Sequence, residues 1–149
     1  MNAYRRFAAM VAVSTVVMFG LMYLNTYELD HIFFSETRCY MALVMGAAMA
    51  LVMLPFMGHM LQSRAANVGI VVCAVLVFCT SLWLVRSQAT VDQLSYMRAM
   101  IPHHSIAIMT SKRAHITDPR VRKLADGIAD TQVREIAEMK ALIKDLDQH

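Results

Sequence analysis

The sequence predicts an all-α membrane protein, three transmembrane helices followed by a helical hairpin. Three observations carry that expectation. Of 149 residues, 58% are hydrophobic and 17% charged, with mean hydropathy +0.47 and only 5 Gly and 3 Pro. A disordered or fibrous chain is neither so apolar nor so unbroken. Three runs without Asp, Glu, Lys or Arg, residues 7–24, 40–61 and 68–85, are 18, 22 and 18 residues long. A helix needs roughly 20 residues to cross about 30 Å of hydrocarbon. The polar remainder shows helical periodicity, with no strand-period alternation, Gly-rich loop or internal repeat. The expected division is a transmembrane domain over residues 1–86 and a hairpin domain over residues 87–149.

Arg5 and Arg6 directly precede the first apolar run, as in a signal peptide. The run is long for a signal core, and residues 24–28 offer no small-x-small cleavage site, so it is expected to be retained as an anchor. The loop over residues 25–39 holds Glu28, Asp30, Glu36 and Arg38, and the loop over 62–67 holds Arg64. Arg5, Arg6 and Arg64 on one side balance Arg38, Arg86 and Arg98 on the other. Because Arg5 and Arg6 sit next to the bilayer, the expected orientation in the inner (plasma) membrane is N-terminus cytoplasmic, C-terminal domain periplasmic or extracellular.

In the tail, Thr90 or Ser95 is expected to cap a helix with the stripe Met97, Met100, Ile101, His104, Ala107, Ile108, Ser111 and His115, within a roughly 100° sector. Asp118-Pro119 starts a second helix, with an acceptor at the cap and proline where its missing N–H costs nothing. That helix presents Val121, Leu124, Ala125, Ile128, Gln132, Glu135, Ile136, Met139, Leu142, Ile143 and Leu146 on one side. Residues 86–149 carry 10 Lys+Arg and 8 Asp+Glu. This near balance, without a basic cluster or aromatic platform, gives no basis for nucleic-acid binding.

Chemistry concentrates at Tyr96-Met97-Arg98-Ala99-Met100-Ile101-Pro102-His103-His104. Met97, Met100 and His104 stand at i, i+3 and i+7, so two thioethers and an imidazole project from one helix face. His103 is rotated about 100° from His104, as a further ligand or an outward group supporting the site. Pro102 removes a backbone hydrogen bond beside them. In the opposing stripe, Gln132, Glu135 and Met139 interrupt an aliphatic surface, where a carboxylate must be paired, neutralised or coordinated. Met and His together select copper, Cu(I) in particular, over magnesium, calcium or manganese, and zinc is disfavoured by the absence of thiolate from the tail. Cys39, Cys73 and Cys79 all lie in or beside the spans and form no Cys-x-x-Cys motif. Imidazole binds a metal only when deprotonated, so affinity at such a site is expected to weaken as pH falls through about 6.5.

These residues carry a resemblance. Met100-Ile101-Pro102-His103-His104 with Ala107 and Met109, then Asp118-Pro119, Leu124-Ala125 and Gln132-x-x-Glu135-Ile136-x-x-Met139, resemble the DUF305 family over residues 91–146. The family is similar to ferritin-like four-helix bundles and includes periplasmic copper-binding proteins whose Met and His residues hold the ion. The resemblance implies that Met100, His103, His104 and Met139 are binding residues and that the tail lies outside the cytoplasm. This chain departs from the secreted members, which can contain two hairpins, in having one hairpin and three added spans.

Methionine is unusually abundant, 14 residues in all. Met41, Met45, Met49, Met53 and Met57 recur at every fourth position of the second span. In that one feature the span resembles the Met-x-x-x-Met pore helix of three-span eukaryotic copper transporters. Spacing of four drifts by about 40° per step, so the sulfurs wind around the helix rather than lining one wall. Methionine also fills gaps between apolar helices. Packing is therefore the expected role of the ladder, with transport the alternative. A carboxylate-bridged di-iron oxidase needs several inward carboxylates, and this hairpin offers only Glu135. With no nucleophile, phosphate loop or paired carboxylates either, no enzymatic activity is expected. The expected function is copper sequestration or tolerance by a membrane-anchored protein serving other copper-handling proteins. One hairpin cannot enclose its own stripe, so a homodimer or higher homo-oligomer that completes a four-helix bundle is expected.

Overall fold

The computed structural model describes residues 2–148 and contains five α-helices, with no strand among the described residues. They are α1 (Ala3–Leu21), α2 (Glu36–Phe56), α3 (Arg64–Ser87), α4 (Gln93–Arg113) and α5 (Pro119–Leu146), with a 3₁₀ turn at Leu29–His31. The first three are long and apolar enough to cross a membrane. The chain divides into two compact units, one formed by Met1–Met22 with Thr37–Thr90 and the other by Tyr23–Glu36 with Val91–His149. The loop between the first two spans thus belongs with the hairpin, whereas the sequence groups it with the spans.

In the membrane unit, the spans are displaced from the hydropathy limits because local hydrogen bonding sets the helix ends. α1 starts at Ala3, where Asn2 Oδ1 accepts the Tyr4 N–H at 3.3 Å. The Tyr4 hydroxyl donates to Asn67 Oδ1 at 3.0 Å and accepts the Ser63 N–H at 2.9 Å, tying that end to the start of α3. α2 stops at Phe56 although the apolar run continues to Leu61. Pro55 has no N–H to donate, and beyond it the chain tightens, with Gly58 N–H to Pro55 O and Met60 N–H to Met57 O at 3.3 and 2.9 Å. α3 ends at Gln88 in the left-handed conformation (φ 53°), whose N–H bonds Leu84 O.

Between apolar helices in lipid, close backbone approach rather than water exclusion drives packing, so small residues form the contact. The buried face of α2 is Ala42, Gly46, Ala47, Ala50 and Leu54. A Cβ on Gly46 would lie 2.2 Å from Thr15 Oγ1, so any larger residue there must displace the Thr15 side chain of α1. Phe7, Ala50, Leu54, Leu61 and Ala74 form the core, with Met53 and Met57 packed on it.

In the second unit, α4 and α5 form an antiparallel hairpin clamped near both ends. Arg98 binds both Asp147 carboxylate oxygens at 3.0 and 3.1 Å, and Arg122 Nη2 donates to Ser111 O at 2.8 Å. The core is Met97, Ile101, Ile108, Ile136 and Ile143, with Tyr27, Phe33, Leu94, Met139 and Leu146 against it. Burying each isoleucine contributes roughly 1.5–3 kcal/mol. An exposed ion pair contributes about 0–1 kcal/mol, so the apolar seam dominates stability and the arginines fix register.

Two expectations are corrected here. The cap of α4 is Asp92, which accepts the Ser95 N–H at 2.7 Å, rather than Thr90 or Ser95. The buried stripe of α4 runs through Met97, Ile101, Ser105 and Ile108. It is rotated from the expected stripe because the 23–36 loop covers the Ser105 side. α4 ends at Arg113, which leaves His115 beyond the helix and exposed.

Candidate functional site

α4 and α5 enclose a groove of about 840 Å³ whose walls include Met97, Met100, His104, Glu135 and Met139. Helical spacing explains the α4 side, since residues 97, 100 and 104 project from adjoining positions over two turns. On α5, Glu135 and Met139 are one turn apart and meet them through the antiparallel register. Met97 belongs to the buried core, and Met100, His104 and Met139 are half-buried between core and solvent.

His104 is held at both ring nitrogens. Nδ1 lies 3.0 Å from Met100 O and Nε2 lies 2.8 Å from Glu135 Oε2. A carbonyl only accepts, so Nδ1 carries the proton that donates to Met100. Nε2 sits at hydrogen-bond distance from the Glu135 carboxylate, so it offers its lone pair to an ion only when that contact opens. This is the arrangement by which a backbone carbonyl fixes the tautomer of a metal-ligating histidine. The His104 side chain is 13% exposed and that of Glu135 is 45% exposed, so the carboxylate keeps access to water while orienting a nearly buried ring. The groove therefore brings three thioethers, one aimed imidazole nitrogen and one carboxylate to a single wall-to-wall space. Such a set is suited to holding a soft cation, and no group in it is arranged as a nucleophile with an oriented base.

The remaining sequence candidates are separate from this groove. His103 is exposed, its ring centroid 6.2 Å from that of His104 in an edge arrangement. Gln132 lines a neighbouring surface depression with Leu124, Ile128 and Thr131. In α2, Met41 is exposed, Met45, Met49 and Met53 are half-buried, and Met57 follows the end of the helix. The cavity among the spans is lined by Thr15, Leu43, Gly46, Ala50, Cys73 and Ala74 among others, and by none of the ladder methionines.

Sequence reasoning missed Ser105 and His31. Ser105 is fully buried, accepts the Tyr27 N–H at 2.7 Å and lies 2.9 Å from His31 Nδ1. A serine inside a stripe reads as a polar break, and no local signal links it to a loop more than seventy residues earlier. His31 had a signal, the acidic neighbours Glu28 and Asp30.

Residues 92–149 match a family model, Domain of unknown function (DUF305). The matched residues cover the hairpin and the groove inside it. The chain is also 41% identical over 64 residues to Uncharacterized protein L153 of Acanthamoeba polyphaga mimivirus, a match covering 42% of each chain. No solved structure matches the chain.

Proposed function

We propose that this is a membrane-anchored copper-binding protein, in which three spans hold a DUF305-type hairpin at the outer face of the inner membrane for copper sequestration or tolerance. The observation that supports it is the convergence of Met97, Met100, His104 and Met139 on one groove. Thioether and imidazole donors fit Cu(I) and suit hard cations poorly. His104 Nε2, once released from Glu135, and the methionine sulfurs would hold the ion, with the Met100 carbonyl orienting the ring through Nδ1 and Glu135 balancing charge. The ion is cargo, so no reaction is assigned to the site.

The exposed side of α5 supports a homodimeric or higher assembly as part of this reading. Val121, Leu124, Ile128 and Leu142 lie open along it. A second hairpin packed there would bury these side chains and complete a four-helix bundle. The ladder in α2 is read as packing, since its methionines flank the buried small-residue face.

Competition titration of the full-length protein in detergent with Cu(I) and a chelator tests the proposal. Met100→Leu/Met139→Leu and His104→Ala are each expected to weaken affinity at least tenfold with helicity retained, whereas Met45→Leu/Met49→Leu/Met53→Leu leaves it unchanged. Equal affinity in all variants contradicts the groove. Loss confined to the α2 variant would favour the transport reading.

A further inference from the structure

The 23–36 loop carries a cluster with a geometry of its own. His31 is 6% exposed, and its Nδ1 is fixed 2.9 Å from the Oγ of the fully buried Ser105. Nε2 makes no hydrogen bond among the described residues and faces Glu28 Oε2 and Asp30 Oδ1, each at 3.7 Å. Hydrogen bonds between N and O are shorter, about 2.7–3.2 Å. A tetrahedral ion with N and O ligands at about 2.1 Å holds those atoms about 3.4 Å apart. The observed spacing is therefore closer to that of atoms sharing an ion than to that of bonded partners.

We propose that His31 Nε2, Glu28 and Asp30 form a second metal site, for a borderline divalent cation of the Zn²⁺ class, that fastens the loop to the hairpin. The donor set is one imidazole and two carboxylates without sulfur, which separates it from the soft groove. Supporting contacts come from both helices. Ser105 on α4 orients the ring through Nδ1, the position from which a neighbouring group fixes the ligating nitrogen. Lys140 on α5 binds Asp30 Oδ2 at 2.5 Å, leaving Oδ1 toward the histidine. The other nearby cation, Lys112, lies over the Tyr27 ring, 5.1 Å from its centroid.

The test uses Co²⁺ as a visible-absorbing probe, followed by Zn²⁺ displacement, on full-length protein in detergent carrying Met100→Leu/His104→Gln to silence the groove. One equivalent of Co²⁺ with tetrahedral-type absorption is expected. Glu28→Gln and His31→Ala should each weaken it at least tenfold, and Ser105→Ala about tenfold. Glu28 is 56% exposed on its side chain, so its substitution reads the site without disturbing the core. Absence of Co²⁺ binding at millimolar metal, or binding that Glu28→Gln leaves unchanged, overturns the proposal.

Discussion

At the scale of single residues, polar side chains act mainly by fixing where helices begin. Asp92 and Asp118 cap α4 and α5, and both carboxyls are held below their ordinary range. For Asp92 the chief cause is the Ser95 backbone N–H, and for Asp118 it is the Arg120 side chain. A carboxyl whose folded pKa is depressed contributes stability that is complete above its unfolded value of about 3.9 and is lost as pH falls through the lower folded value. Helicity measured by circular dichroism should therefore decline below about pH 4. Asp118→Asn, which keeps a capping oxygen but cannot titrate, should reduce that decline, and an identical acid profile would contradict the assignment. Asp118 was legible as a cap because proline follows it, whereas Asp92 was not, because Thr90 and Ser95 are equally good acceptors by residue type. The same limit hid His31 and Ser105, whose pairing joins positions remote in sequence.

At the scale of elements, periodicity located every helix but not the faces they bury. In α5 the aliphatic stripe was visible, yet Leu124 is 64% exposed while Ala125 and Ala129 are buried, since the close approach of α4 selects small side chains. In α2 the methionines draw the eye, but the small residues one position further on make the contact. Gly46 carries the consequence. Gly46→Leu must separate α1 from α2 and is expected to cost about 1–3 kcal/mol, read as a lower melting temperature in detergent. Gly20→Ala meets nothing within 4 Å and serves as the matched control, expected neutral or slightly stabilising. Equal melting temperatures for Gly46→Leu and the parent would show that the seam does not pack as described.

At the scale of the whole molecule, three helices long and apolar enough to cross a bilayer would, if all three cross, leave the 23–36 loop and the C-terminal hairpin on the same side. That is a necessary condition for them to form one unit. Reporters inserted after Asn25 and after Gln148 should therefore respond alike, and the proposed orientation places both outside the cytoplasm. Opposite responses would exclude three spans, while a shared cytoplasmic response would exclude the outer-face function alone. The candidate groove was largely readable from spacing, because Met97, Met100 and His104 lie on one helix. Its pairing with Glu135 and Met139 follows from the hairpin, but the two-sided hold on His104 depends on the exact register of α5 against α4, which spacing does not encode. The central claim is that sulfur and imidazole from this groove together hold copper. Copper X-ray absorption on Cu(I)-loaded full-length protein tests it most directly. A mixed shell of sulfur and nitrogen scatterers is expected, with the sulfur component diminished in Met100→Leu/Met139→Leu and the nitrogen component diminished in His104→Ala. A shell of light atoms alone, or one unaltered by either variant, would contradict it.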